Sequence, residues 1–235
     1  MRARISGYGA RILLTLGATT THVVLLPGAE HDPRMRKIRE RQLITLLPDQ
    51  VTPDGVQARE QAEEPQVLVR GQVVDLSGDS EELVVSAAWA HPGVDVDVVA
   101  IPLGPDDTVT KDEDLVFYNA PVSPAGGLSL TVDGDAEQAV ALNFENLPTG
   151  CTRVVIAAAI DGATFGELGP IGLTFGQQES ILANAVLDAA TDEASLVLAE
   201  VYLRGETWRL RVVGRGYQDG LRELVERYGV QVDDG

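Results

Sequence analysis

The chain has 235 residues, 44% hydrophobic and 23% charged, a balance that fits a folded globular protein and excludes a disordered or collagen-like one. Its net charge of −18 is unevenly spread: residues 1–65 come to +1, while the remainder carries nine basic and 28 acidic side chains and comes to −19. A surface of that sign repels nucleic-acid phosphates and anionic membranes and attracts cations or basic partners, although acidity also serves solubility alone.

Near the N-terminus Arg2 and Arg4 precede the apolar stretch Ile12–Leu16, which is too short for a secretory signal. No run approaches the roughly 18 apolar residues that span a bilayer. The single cysteine, Cys151, rules out an internal disulfide and a CxxC metal knuckle; placed before an apolar run, it reads as a buried, inert thiol. The expectation is a cytoplasmic protein with no membrane span.

The first segment, residues 1–50, reads as strand, helix, strand. Thr21–Leu26 is a β-branched apolar run ended by Pro27 and Gly28. Asp32–Arg41 has a helix start, with Asp32 as N-cap and Pro33 in the first turn, and Leu43–Leu47 is a second short strand. Some fifty residues with one helix make a marginal core. Gly17 and Ala18, then THVVLL, then PRMRKIRERQLITLLPDQV resemble the middle of a BRCT domain. That family's first strand, which carries its phosphate-contacting Ser or Thr, and its final Trp-bearing helix have no counterpart here, so phosphopeptide binding does not carry over. Residues 51–66, with Pro53, Gly55 and Pro65 around the polar QAREQAEE, read as a linker.

Residues 67–233 have an all-β texture. Val67–Leu76, Leu83–Trp89, Val94–Ile101, Leu115–Tyr118, Leu128–Val132, Ala139–Asn143, Val154–Ile160, Ile181–Asp188, Leu196–Leu203 and Thr207–Val213 are strand-length runs, most of them separated by Gly, Pro or Asp clusters. One late stretch, Asp219–Tyr228, places Leu221, Leu224, Val225 and Tyr228 at helical spacing, with Asp219 as N-cap. The predicted architecture is mainly β, a two-sheet sandwich with one C-terminal helix, preceded by a small incomplete α/β segment.

Carboxylates are the informative residues. Asp95 and Asp97 alternate on a strand, so they share a face about 7 Å apart and repel unless a cation sits nearby. Asp112, Glu113 and Asp114 follow in TKDEDLVFYN, which Asn119 closes, and Asp133, Asp135 and Glu137 follow in VDGDAEQ. Calcium takes six to eight oxygens and suits such a set, yet clusters of this kind also occur on solvated turns that bind nothing. No twelve-residue EF-hand loop is present.

The succession DVDVVAIPLG, DEDLVFYN, SPAGG, DGDAE, AEVYLRGETWRLRVVGRGYQDGL and YGVQV resembles the TerD (tellurium-resistance) family in order and spacing over about 165 residues. The resemblance implies a calcium-binding β-sandwich that is not an enzyme, works in stress response and presents a surface to protein partners. It implies calcium ligands at Asp95, Asp97, Asp112, Asn119, Asp135 and Glu137, with Asp133 as a substitute for a lost aspartate. The family's Gly-Asp-rich loop is shortened after SPAGG, and Ala120, Ala125 and Ala136 replace residues usual there. A calcium-free scaffold with a degraded metal site is therefore the alternative. Other chemistries lack residues. There is no G-x-S-x-G elbow and no H-E-x-x-H, and the Gly214, Gly216, Gly220 run lacks the Lys and Ser/Thr of a phosphate loop.

Overall fold

The computed structural model describes residues 22–24, 38–39, 43–46, 51–52, 55–56, 65–76, 82–91, 93–132, 136–177 and 180–232. The chain divides into two compact units, Met1–Ala62 and Glu63–Gly235.

In the first unit β1 (His22–Val24) and β2 (Ile44–Leu46) pair in parallel. Helical residues Ile38 and Arg39 fall between them, as a parallel connection requires. β3 (Val51–Thr52) and β4 (Gly55–Val56) make a short antiparallel pair inside the stretch expected to be a linker. These elements follow the expected strand–helix–strand order but have no feature specific to a BRCT domain.

The second unit is a two-sheet sandwich. In chain order its strands are β5 (Gln66–Leu68), β6 (Val73–Asp75), β7 (Glu82–Trp89), β8 (Val96–Leu103), β9 (Leu128–Val132), β10 (Glu137–Asn143), β11 (Arg153–Ile160), β12 (Ile171–Gln177), β13 (Ser180–Leu187), β14 (Ser195–Arg204) and β15 (Thr207–Tyr217). The first sheet runs β5-β13-β12-β7-β10-β9 and the second β6-β15-β14-β11-β8. Strand β7 shows why they pack: Leu83, Val85, Ala87 and Trp89 are buried, while Val84, Ser86 and Ala88 alternate outward. The main core fills the space between the sheets.

Strands β8 and β11 are buried on both faces, because a second core lies outside the second sheet. There Leu224 and Val225 of the short helix α2 (Leu221–Glu226), with Val230 beyond it, cover Val99, Ile101, Leu103, Val155, Ala157 and Val197. Six helical residues are too few to be stable alone, so this packing holds the helix. A one-turn helix, α1 (Phe165–Leu168), follows β11 and opens with a capping box between Thr164 and Glu167.

Several expectations needed correction. Val67–Leu76 is two strands in different sheets, broken at a turn where Gly71 has φ +84°. Strand β12 was not anticipated, because Gly172 and Gly176 occupy its outward positions and hide the alternation. Leu115–Tyr118 joins the sheet only through isolated bridges. The N-cap of α2 is Gly220 rather than Asp219, which pairs instead with Arg227; the Arg227 guanidinium also lies 4.6 Å from the Tyr217 ring centroid. Cys151 is half-buried, and burial pushes its thiol up to about 11, as an inert cysteine requires.

Candidate metal site

Asp95 immediately precedes β8, and Asp97 is its second residue. Odd-numbered positions of β8 face the side that α2 covers further along, so both aspartates share that face. Strand β11 runs antiparallel beside β8, with Asp97 opposite Ala159 and Val96 opposite Ile160. Asp161, the next residue, therefore leaves β11 beside Asp95 and on the same face as Val155 and Ala157. Burial, and then the charges of Asp95 and Asp161, hold the Asp97 carboxyl above the usual carboxylate range. By contrast, the nearby Asp192 and Glu193 are held below that range by hydrogen bonds from Gln218 and Thr191.

Sequence reading missed Asp161, since an Asp-Gly pair after an apolar run reads as a turn. Only the register of β8 on β11 reveals its neighbours. Its loop is anchored a few residues on. The α1 turn buries Phe165 and Leu168, and Nδ1 of His91 lies 2.9 Å from the Leu168 carbonyl oxygen. Gly166 is required there, because a Cβ would strike the Thr191 carbonyl.

Gln138 fixes the backbone around Asp97. It is the second residue of β10 and points between the sheets. Its Oε1 accepts from Val98 N at 3.0 Å and its Nε2 donates to Val96 O at 2.7 Å, one bond on each side of Asp97. The exposed edge of β8 is covered further on by Val116, which exchanges hydrogen bonds of 2.9 and 3.0 Å with Ala100, and by Thr110 N, which donates to Pro102 O at 3.0 Å.

The other expected ligands divide. Glu137 begins β10 at the same end of the sandwich, but it faces away from Gln138, outward from the first sheet. Asp133 and Asp135 lie outside the described residues. Asn119 is exposed in the turn where Phe117 and Ala120 bond each other, on a segment that runs from Val116 towards the start of β8. Asp112 stands apart. Its segment leaves the β8 edge at Leu103 and rejoins it at Ala100, so Asp112 lies level with the far half of the strand, roughly 16 Å or more from Asp95. Its Oδ1 accepts from Gln231 N at 3.1 Å, while Asp114 is buried and accepts from Thr110 Oγ1 at 2.7 Å. Among the described residues no three His, Cys, Asp or Glu side chains are gathered closely enough to hold a metal ion. The charges of Asp95 and Asp161 act on Asp97, but the three carboxylates do not stand at coordination distance from a common point.

No helix among the described residues is long and apolar enough to cross a membrane. The chain is 28% identical over 189 residues to the uncharacterized protein YceE of Bacillus subtilis, a match covering 70% of this chain and 98% of that protein. It is 24% identical over 150 residues to tellurium resistance protein TerD of Serratia marcescens, covering 58% of this chain and 78% of that one. A crystal structure of a homologue of telluride resistance protein (TerD) from Streptomyces coelicolor superposes with a TM-score of 0.51 at 16% identity, over 62% of this chain and 95% of that one, a likeness of fold. The family model for the TerD domain matches residues 66–228, well over half of the sequence. The chain belongs to the TerD family.

Proposed function

We propose that this protein is a stress-response protein of the tellurium-resistance type. In this reading it binds Ca²⁺ at the acidic end of its sandwich and presents the ordered surface to protein partners in the cytoplasm, acting by binding and not by catalysis. The observation that carries the reading is the register of β8 on β11, which brings Asp95, Asp97 and Asp161 to one face, where burial and the two neighbouring charges raise the Asp97 carboxyl. A divalent cation relieves that repulsion, and the hard oxygen donors suit calcium. Asp95, Asp97 and Asp161 are the oxygens assigned to it, with Asn119, Asp133 and Asp135 as the further expected donors; Glu137, which faces out from the other sheet, and Asp112 are not among them. Bound calcium turns the local field from strongly negative towards neutral and so changes which partners are attracted.

A second reading, a calcium-free scaffold module, is favoured by a different observation: no three acids stand at coordination distance among the described residues, and Asp112 is already engaged by Gln231. Thermal melting of the full chain separates the two. A melting temperature that rises with millimolar Ca²⁺, and not with equal Mg²⁺, supports the calcium reading through native-state linkage. A temperature that moves with neither ion supports the scaffold.

A further inference from the structure

Among the described residues of its own unit, the outer face of the first sheet has no covering layer, whereas the outer face of the second sheet lies partly under α2. Ladder register identifies its outward positions. One row crosses all six strands as Val67, Asn184, Thr174, Ser86, Ala139 and Thr131. A row towards the acidic end reads Val186, Gly172, Ala88 and Glu137, and one on the other side reads Ile181, Gly176, Val84, Ala141 and Ser129. The charges on this face among those residues are Glu137 and, beyond the last row, Glu82, both at strand starts. The outer face of the second sheet carries Asp97, Arg153, Glu200, Arg209 and Arg211 instead.

Two observations make the neutral face more than a plain surface. Val67 is 79% exposed and Val186 61% exposed, on adjacent strands, about 7 Å apart on the diagonal. Gly172 is the second residue of a central strand, and a Cβ there would meet nothing nearer than the Ala88 carbonyl oxygen at 3.8 Å. Contacts within the chain do not require glycine at that position. A strand glycine costs stability and, where no bulge accounts for it, leaves room for another backbone to come close; the register shift in this strand falls at Phe175/Gly176 and not at Gly172.

We infer that this face is a self-association surface on which a second copy of the chain packs sheet to sheet about a two-fold axis. Charge selects the occupant. A basic partner finds no counter-charge in the interior of this face. Two copies of a chain of net charge −18 can approach only where neither presents like charge to the other. Area sets the strength. Six strands at about 4.8 Å and three rows of outward residues give about 500 Å² per copy and about 1,000 Å² in all, the lower limit for a specific interface. The dimer is therefore weak and concentration-dependent, and it tightens with salt as the repulsion between copies is screened.

Sedimentation equilibrium of the full chain tests this at about 50 mM and about 500 mM NaCl. The expected result is a mass rising with concentration towards twice the 25.0 kDa chain, more readily at the higher salt. In the doubly substituted Ser86→Arg, Thr174→Arg protein, like charges meet across the axis and association weakens tenfold or more, about 1.4 kcal/mol or greater. Circular dichroism verifies that this variant is folded. As a second measurement, a spin label at Thr174→Cys is expected to show inter-label distances of about 10–20 Å from sheets stacked face to face. A mass of one chain at every concentration and salt overturns the inference, as does a dimer unchanged in the folded double variant, or a dimer whose labels lie far apart.

Discussion

Asp97 is in conflict with its surroundings: it is partly withdrawn from water and has two like charges beside it. Because its folded-state proton affinity is raised, the folded chain holds that proton more tightly than the unfolded chain does. Stability from this group is therefore greatest below the ordinary carboxylate range and falls as pH rises through it. Without metal, Asp97→Asn is expected to raise the melting temperature by a few degrees at neutral pH. The gain should vanish below about pH 3, where both side chains are neutral. An unchanged melting temperature at neutral pH would mean that the repulsion is absent. Asp95 and Asp97 were legible in the sequence because two residues apart on a strand means one face. Asp161 was not, because its proximity depends on which strand pairs with β8, and a single sequence carries no register between strands distant along the chain.

At the scale of elements, the edge of β8 is where local structure and site meet. Gln138 serves as a substitute strand, supplying one acceptor and one donor to the backbone around Asp97. Gln138→Leu leaves a buried N–H and a buried carbonyl without partners, and it is expected to cost about 2–4 kcal/mol in urea denaturation. A cost under about 0.5 kcal/mol would show that the edge is held by other means. Most strands of the sandwich could be read from alternation; Leu128–Val132 was anticipated to the residue. Strand β12 escaped because two of its outward positions are glycine, and the break between β5 and β6 escaped because the short polar step Arg70-Gly71-Gln72 was absorbed into one run and does not say that the chain changes sheet there. Asp112 illustrates the converse error. Its place in the chain between two carboxylate groups, and the family resemblance, suggested a shared site, but the segment bulges from the far half of β8 and its Oδ1 accepts from Gln231 N there.

For the whole molecule, the division of charge is the governing fact. A nearly neutral N-terminal segment precedes a domain of net charge −19. Among the described residues of that domain, charge is sparse on the outer face of the first sheet and is carried by the outer face of the second sheet and by residues outside the strands. The proposed cation at the acidic end and the proposed second copy on the neutral face act on the same repulsion, which calcium would lower at one place and salt throughout. The most direct measurement is calorimetric titration of Ca²⁺ into the full chain, beside an Asp95→Asn, Asp97→Asn variant verified as folded. Saturable binding to the native chain and its loss in the variant are expected. Equal binding to both proteins, or no binding to the native chain in millimolar calcium, would contradict it.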